Sequence, residues 1–512
     1  MVQSGDYIVP YFNGEFRFQK PVLTYWLVAL ATQFGSETPF WHRFFSGLCV
    51  AGSCLLVWGL GNRMFGRPAG LFAGLMTATC PTVLLLGKLC LPDGPQLLFA
   101  TACFYALYWV HEREGENDAG KRRAAFLFWV SLAAATLIKG PVVLGMIGAC
   151  LFVYWLLTRT SPAGFSLRWR LGPLLFAGLT IPWLIAILSV SGWGFFNESV
   201  GRQLAGRTVS SFDGRWLPPG YYLGSTAVGL APWLPLSVLA FLRMRTEWRT
   251  RGPVAFLLAW IVGPMILLEL FKSKQPHYYA PSYPAFALLA GGYLAGLLRR
   301  ERAWFMDIHS RVYPYTSLAA ALVLPGGLLA VGFFGPEEAR VAALVGATVT
   351  FTGAVWCVRR NLQGEVVRAN VSQMACAVIG WVLVSAWLMP ALDQARVVRA
   401  IGERLGDRAR AEKVSVVAHR LFEPSMVYYS KLNMLHLDKE KEFLRYARYA
   451  ERDFLVPMTD QDFQKYSQLL PHCLQVEESW RGWVKMHADT VHLVRVDAGR
   501  TQIALETMDP RQ

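Results

Sequence analysis

Twelve long apolar stretches dominate this chain of 512 residues, at roughly 40–62, 68–88, 94–111, 123–138, 141–158, 171–192, 222–243, 253–271, 278–298, 316–335, 340–358 and 373–391. About 20 residues with few charges suffice for a helix to cross ~30 Å of hydrocarbon. The fold expected is therefore an all-α polytopic membrane protein with about twelve spans. Composition agrees: 17% of residues are charged, where a soluble globular chain carries nearer ~25%. Chemistry in such a chain falls to residues at the ends of helices.

The net charge of +15 could point to nucleic acid, but its distribution points elsewhere. Alternate loops hold twenty Lys and Arg on one side, from Arg63 and Arg67 to Arg359, Arg360 and Arg368. The opposite loops hold eight: Lys88, Lys139, Arg202, Arg207, Arg215, Lys272, Lys274 and Arg340. Short loops rich in Lys and Arg face the cytoplasm, so the basic excess orients the protein in the bilayer and no nucleic-acid partner is expected. The same rule places residues 1–39 and the tail 392–512 outside the cytoplasm, flanking a transmembrane domain over 40–391. Eight of the nine cysteines lie in or beside spans, and Cys473 stands alone in the tail, so no disulfide framework is read. No CxxC or HExxH motif occurs, and neither a metal nor another cofactor is expected.

Residues 1–20 lack the basic start, apolar core and cleavage site of a signal peptide. A further transmembrane helix upstream of Met1 is expected; passage of the N-terminus together with the first helix is the alternative. Residues 22–34 are apolar but too short to span, which suits an interfacial helix, with Tyr25 and Trp26 at headgroup level.

Five polar groups fall on the outer side. Gln19-Lys20-Pro21 opens the interfacial helix, where free backbone N–H groups and a cation together suit an anion; a snorkelling lysine is the plainer reading. Lys88 and Asp93 sit between two spans. An acid at the mouth of a membrane helix is a functional candidate, although an aspartate at a helix N-terminus is also ordinary. Lys139 lies in a Lys-Gly-Pro turn, functional or merely interfacial. The longest outer loop, 193–221, carries Glu198 and Arg202 four apart, able to pair on one helix face, together with Arg207, Asp213, Arg215 and Trp216. The last group, Lys272 and Lys274 with His277, Tyr278 and Tyr279, breaks the charge rule that the other loops follow, and local exceptions of that kind mark function. Cations bind phosphate, aromatic walls hold a chain or sugar ring, and an acid can serve as base. A phosphate-bearing lipid fits this outer surface.

Four segments in order, GDYIVPYFNGEFRFQKPVLTYW, LCLPDGP, LIKGP and SKQPHYYAPSYPAFALL, resemble successive landmarks of the polyprenol-phosphate-sugar-dependent glycosyltransferases. This is the superfamily of the protein mannosyltransferases and lipid A aminoarabinose transferases. The resemblance covers residues 1 to about 290 and implies a GT-C fold with an extracytoplasmic active site. It implies that Lys20 with Pro21, Asp93, Lys139 and Tyr278 are the family's phosphate- and sugar-binding positions. The acid that usually precedes the Lys-Pro lysine is Gln19 here, and the family's first helix and the acidic pair after it do not occur in this sequence.

Beyond residue 392, VSVVAH, MLHLD, DFLVPM and TVHLVRVD read as strands alternating with the helix-like KEKEFLRYARYAER and TDQDFQKYSQLL, a small extracytoplasmic α/β domain. The function expected is inverting transfer of a monosaccharide from a polyprenyl-phosphate donor to a lipid, glycan or protein acceptor at the outer face of a bacterial inner membrane. Asp93 and, second, Glu198 are the candidate catalytic acids. Lys20, Lys88, Lys139, Arg202, Lys272, Lys274, His277 and Tyr278 are the candidate substrate-binding groups. A catalytically silent lipid-binding subunit is one competitor. A transporter is the other, set aside because no Gly- or Pro-broken pair of spans is read in matching halves.

Overall fold

The structure, a computed structural model, describes residues 1–2, 4–112, 119–159, 167–168, 170–206, 217–244, 252–299, 308–484 and 487–507. Arg207, Asp213, Arg215 and Trp216 of the longest outer loop lie outside the described residues. The chain divides into two compact units. One comprises Met1–Tyr11, Phe16–Gly327 and Ala347–Trp381; the other comprises Phe12–Glu15, Leu328–Gly346 and Val382–Gln512.

The first part of the chain starts with a short hairpin, β1 (Tyr11–Phe12) and β2 (Glu15–Phe16), turned by Asn13-Gly14 with both residues at positive φ, the Asn-Gly signature of a tight hairpin. The interfacial helix α1 (Leu23–Phe34) follows. Then come α2 (Pro39–Phe65), α3 (Arg67–Thr79), α4 (Pro81–Lys88), α5 (Asp93–Glu112), α6 (Ala119–Lys139), α7 (Val142–Thr158) and α8 (Gly172–Ser191). After them lie α9 (Tyr221–Gly229), α10 (Leu234–Met244), α11 (Pro253–Glu269) and α12 (Tyr283–Leu298), and then the long helices α13 (Arg311–Phe334), α14 (Glu337–Leu362) and α15 (Val366–Gln394).

Several spans differ from the uninterrupted stretches expected. Among the described residues five helices, α2, α8, α13, α14 and α15, are long and apolar enough to cross a bilayer. The stretch 68–88 is broken between α3 and α4 by 62°, and 222–243 is broken between α9 and α10 by 112°. Pro81 and Pro232 sit at the two breaks, where a missing N–H and a ring clash interrupt the helical ladder. Counting each bent pair as one span gives up to seven among the described residues, so the count of twelve is not confirmed. The stretches 141–158 and 253–271 yield 17-residue helices, about 25 Å long, below the hydrocarbon thickness. Two of the stretches read as uninterrupted are thus Pro-broken.

The core of the first unit brings α5, α7 and α11 together. Phe104 of α5 stacks on Trp260 of α11 at 4.2 Å between ring centroids. Gly263 lets α11 approach α7, since a Cβ there would lie 2.5 Å from the Ala149 carbonyl carbon. This contact fixes the end of α11 that carries Glu269.

The second unit contains a mixed five-stranded sheet in the order β4-β3-β5-β7-β6, built from β3 (Ser415–His419), β4 (Leu435–Leu437), β5 (Phe454–Thr459), β6 (Leu474–Val484) and β7 (His487–Val496). β3 pairs in parallel with β4 and β5, while β7 runs antiparallel to β5 and β6. Four strands match the apolar runs read from the sequence. β6 was not anticipated, because charged residues interrupt its alternation. Thr459 caps the helix Asp460–Leu469 by accepting from the Asp462 N–H, an N-cap role suited to its hydroxyl. In the same unit the Asn13 amide imitates a strand, donating to the Met434 carbonyl and accepting from its N–H, both at 2.7 Å. The chain is thus a mostly helical membrane protein with a small α/β domain, as expected.

Candidate functional site

α5 and α6 bring opposite charges to one place by complementary means. Asp93 is the first residue of α5, where a carboxylate meets the positive end of the helix dipole. Lys139 is the last residue of α6, where a cation meets the carbonyl end; Gly140, at φ +76°, then stops that helix as a left-handed cap. The Lys139 ammonium lies 2.5 Å from Asp93 Oδ1, and the two side chains are only 9% and 8% exposed. The Tyr278 ring lies 4.1 Å from the same ammonium, a cation–π contact. His277 Nε2 is 3.6 Å from Asp93 Oδ1. Burial pushes the His277 pKa below the ordinary histidine range; Asp93 pulls it up and Lys139 adds to the lowering.

Lys20 reaches the same region because the N-terminal segment is tied down. Asp6 accepts from the Ile8 and Val9 N–H groups, Trp26 donates to the Tyr7 carbonyl at 2.7 Å, and Trp183 of α8 donates to the Ile8 carbonyl at 3.1 Å. Val9 and Val22 then pack with Leu137, Trp183, Ile187 and Phe195. Leu137 lies two residues before Lys139, so one apolar cluster sets the positions of both lysines.

Lys20 and Lys139 line a cavity of about 620 Å³. Its polar lining includes Gln19, Gln96, Thr136, Ser199, Ser273 and Tyr278; its apolar wall comes from α7, α8 and the end of α11, with Trp183, Leu184, Leu267 and Phe271. No carboxylate lines it among the described residues.

Of the candidate residues, Asp93, Lys139, His277 and Tyr278 meet in one constellation, with Lys20 on the wall beside it. The others lie elsewhere. Glu198 and Arg202 pair at 3.5 Å on the π-helical segment Asn197–Ala205, outside the cavity lining. Lys88 ends α4 half-buried, and Lys272 is exposed; neither lines the cavity. Lys274 is turned inward with its side chain 2% exposed, bonded to Glu269 at 2.5 Å and to the Pro218 carbonyl at 3.1 Å. Glu269 was not singled out from the sequence, although a signal existed: it is the one charge in the apolar run 253–271, and an acid inside such a run is a functional candidate. Gln96 and Thr136, one helical turn from Asp93 and Lys139, carry no motif that marks them.

Residues 19–188 match the dolichyl-phosphate-mannose-protein mannosyltransferase family. The fold matches a structure of ArnT from Cupriavidus metallidurans bound to undecaprenyl phosphate, with a TM-score of 0.77 at 18% identity, covering 96% of this chain and 91% of that one. The chain thus has the fold of that ArnT structure. It is 28% identical over 374 residues to the undecaprenyl phosphate-alpha-4-amino-4-deoxy-L-arabinose arabinosyl transferase of Edwardsiella ictaluri, covering 70% of this chain and 64% of that protein. It is 31% identical over 325 residues to the transferase of the same name from Pseudomonas paraeruginosa, covering 59% and 54%. The matches thus span less than two thirds of these relatives' length. A multi-pass protein of this kind fits a bacterial inner membrane.

Proposed function

We propose that this chain transfers a monosaccharide from a polyprenyl-phosphate donor to a lipid, glycan or protein acceptor. The observation that carries the reading is the pair Lys20 and Lys139, two cations on the wall of a largely apolar cavity in a membrane protein. The lysines hold the lipid phosphate by charge-assisted hydrogen bonds, and the apolar wall takes the prenyl chain. In the transfer, an acceptor oxygen attacks the anomeric carbon from the face opposite the phosphate. The bond from that carbon to the phosphate oxygen breaks, and the electron pair leaves with the phosphate. Cations fixed in advance where that charge develops lower the barrier.

Asp93 is assigned the task of holding Lys139 and His277 in place. A buried carboxylate already neutralised by an ammonium at 2.5 Å is a weak proton acceptor. A hydroxyl acceptor needs a base, and Glu198 is the second carboxylate in question. The silent lipid-binding reading draws on one observation, the absence of a carboxylate among the described cavity residues. Transfer of a labelled sugar from an undecaprenyl-phosphate donor in proteoliposomes decides between them: binding without transfer would establish the silent reading.

Lys20→Ala removes one charge-assisted contact, worth roughly 1.5–3 kcal/mol. Affinity for undecaprenyl phosphate should fall about 10- to 100-fold, read by binding to the purified protein. Unchanged affinity would leave Lys20 as a snorkelling lysine.

The site and the α/β domain are assigned to the outer face, on the strength of the twenty-to-eight distribution of Lys and Arg. Single cysteines replacing Lys272 and Gln461 should react with an impermeant thiol reagent in intact cells, and one replacing Arg122 should react only after lysis. The reverse pattern would overturn the orientation.

A further inference from the structure

Lys274, buried, and Glu269, half-buried, form an ion pair that the transfer chemistry does not use, and the pair ties three pieces of chain together. Glu269 ends α11. One of its oxygens meets the Lys274 ammonium at 2.5 Å, and the other accepts from the Tyr222 N–H at 2.9 Å, at the start of α9. Lys274 also donates to the Pro218 carbonyl at 3.1 Å. The end of α11, the segment 218–222 and the loop 270–275 are thereby joined through two side chains. His277 and Tyr278, which flank Asp93 and Lys139, follow Lys274 by three and four residues, and Ser273 and Tyr222 line the cavity.

We propose that the Glu269–Lys274 pair is a clamp that positions His277 and Tyr278 against the Asp93–Lys139 pair, and that Lys274 is not a ligand of the donor phosphate. A side chain 2% exposed with two partners already in place has no face to offer a phosphate in the cavity. Glu269 and Lys274 are positioning residues, acting through the loop they hold. This assignment rests on the transfer reading for its kinetic consequences but not for its structural ones. Breaking a buried ion pair by removing one partner leaves an uncompensated charge, whereas removing both does not. A misplacement of ~1 Å in groups that orient a reaction can cost about 10²-fold in rate.

Two measurements on the full-length protein test the clamp. The first is trypsin cleavage after the exposed Lys272, which needs no activity. It should quicken at least severalfold in Glu269→Gln and in Lys274→Met, and stay at the wild-type rate in Lys274→Arg, which keeps a donor for both partners. The second is sugar transfer alongside undecaprenyl phosphate binding. Both single variants should lose roughly 10- to 100-fold in kcat while donor affinity stays within about threefold of wild type. The double variant Glu269→Gln/Lys274→Met should be no worse than the poorer single one, as coupled partners are not additive. Weakened donor binding in Lys274→Met but not in Glu269→Gln, with additive losses, would make Lys274 a phosphate ligand and overturn the clamp. Unchanged cleavage in both single variants would overturn it as well. Should the wild-type chain bind donor without transferring sugar, the cleavage series still decides the clamp, while the transfer reading alone fails.

Discussion

Lys139→Met is expected to lower sugar transfer by about 10²–10³-fold, the cost of removing one fixed donor from a site where negative charge develops. It should also weaken undecaprenyl phosphate binding, because among the described residues the cavity keeps only Lys20 as a cation for the phosphate. Lys139 does a second task that Lys20 does not: it neutralises Asp93, whose side chain is 8% exposed. Removing it leaves a buried carboxylate unpaired, which costs about 3–5 kcal/mol of stability. Lys139→Met/Asp93→Asn, with no uncompensated charge, should recover most of the thermal stability and none of the transfer. Thermal unfolding in detergent and transfer in proteoliposomes read the two effects separately. Full transfer by Lys139→Met would remove this lysine from the mechanism.

Asp93→Asn should reduce turnover by about 10²-fold, the cost of misplacing groups that orient a reaction, without weakening donor binding. The asymmetry follows from the geometry. Once Asp93 is neutral, the donor phosphate no longer competes with a carboxylate for the Lys139 ammonium, so affinity holds or rises while the orientation of Lys139 and His277 is lost. The pH profile of the residual activity separates the two roles. A base with a carboxylate pKa imposes a falling limb on the acid side, and that limb would vanish in Asp93→Asn. For a positioning group the limb stays. Unchanged kcat at every pH would exclude both roles.

The membrane class, the α/β tail and most of the site were legible in the amino-acid sequence because each depends on local pattern. Apolar runs need no partner to be recognised, and alternating strand-like segments separated by amphipathic ones identify an α/β domain before its sheet order is known. Asp93 and Lys139 stood out because charges beside membrane helices are costly and therefore conspicuous. Their helix-end positions could also be read, one at an N-terminus and one before a glycine stop.

Pairing and geometry were decided by the tertiary structure. Lys139 and Lys274 looked equivalent in sequence, both outer-side lysines in short turns, yet one lines the cavity and the other is consumed by Glu269. No local rule distinguishes them, because which carboxylate a lysine meets depends on the packing of α5 on α6 in one case and on the end of α11 in the other. The same holds for the stretches 68–88 and 222–243, apolar throughout but bent by 62° and 112°. Hydropathy measures transfer out of water and carries no information about direction. Proline marked where each helix could break, and only packing against neighbouring helices set how far it turned.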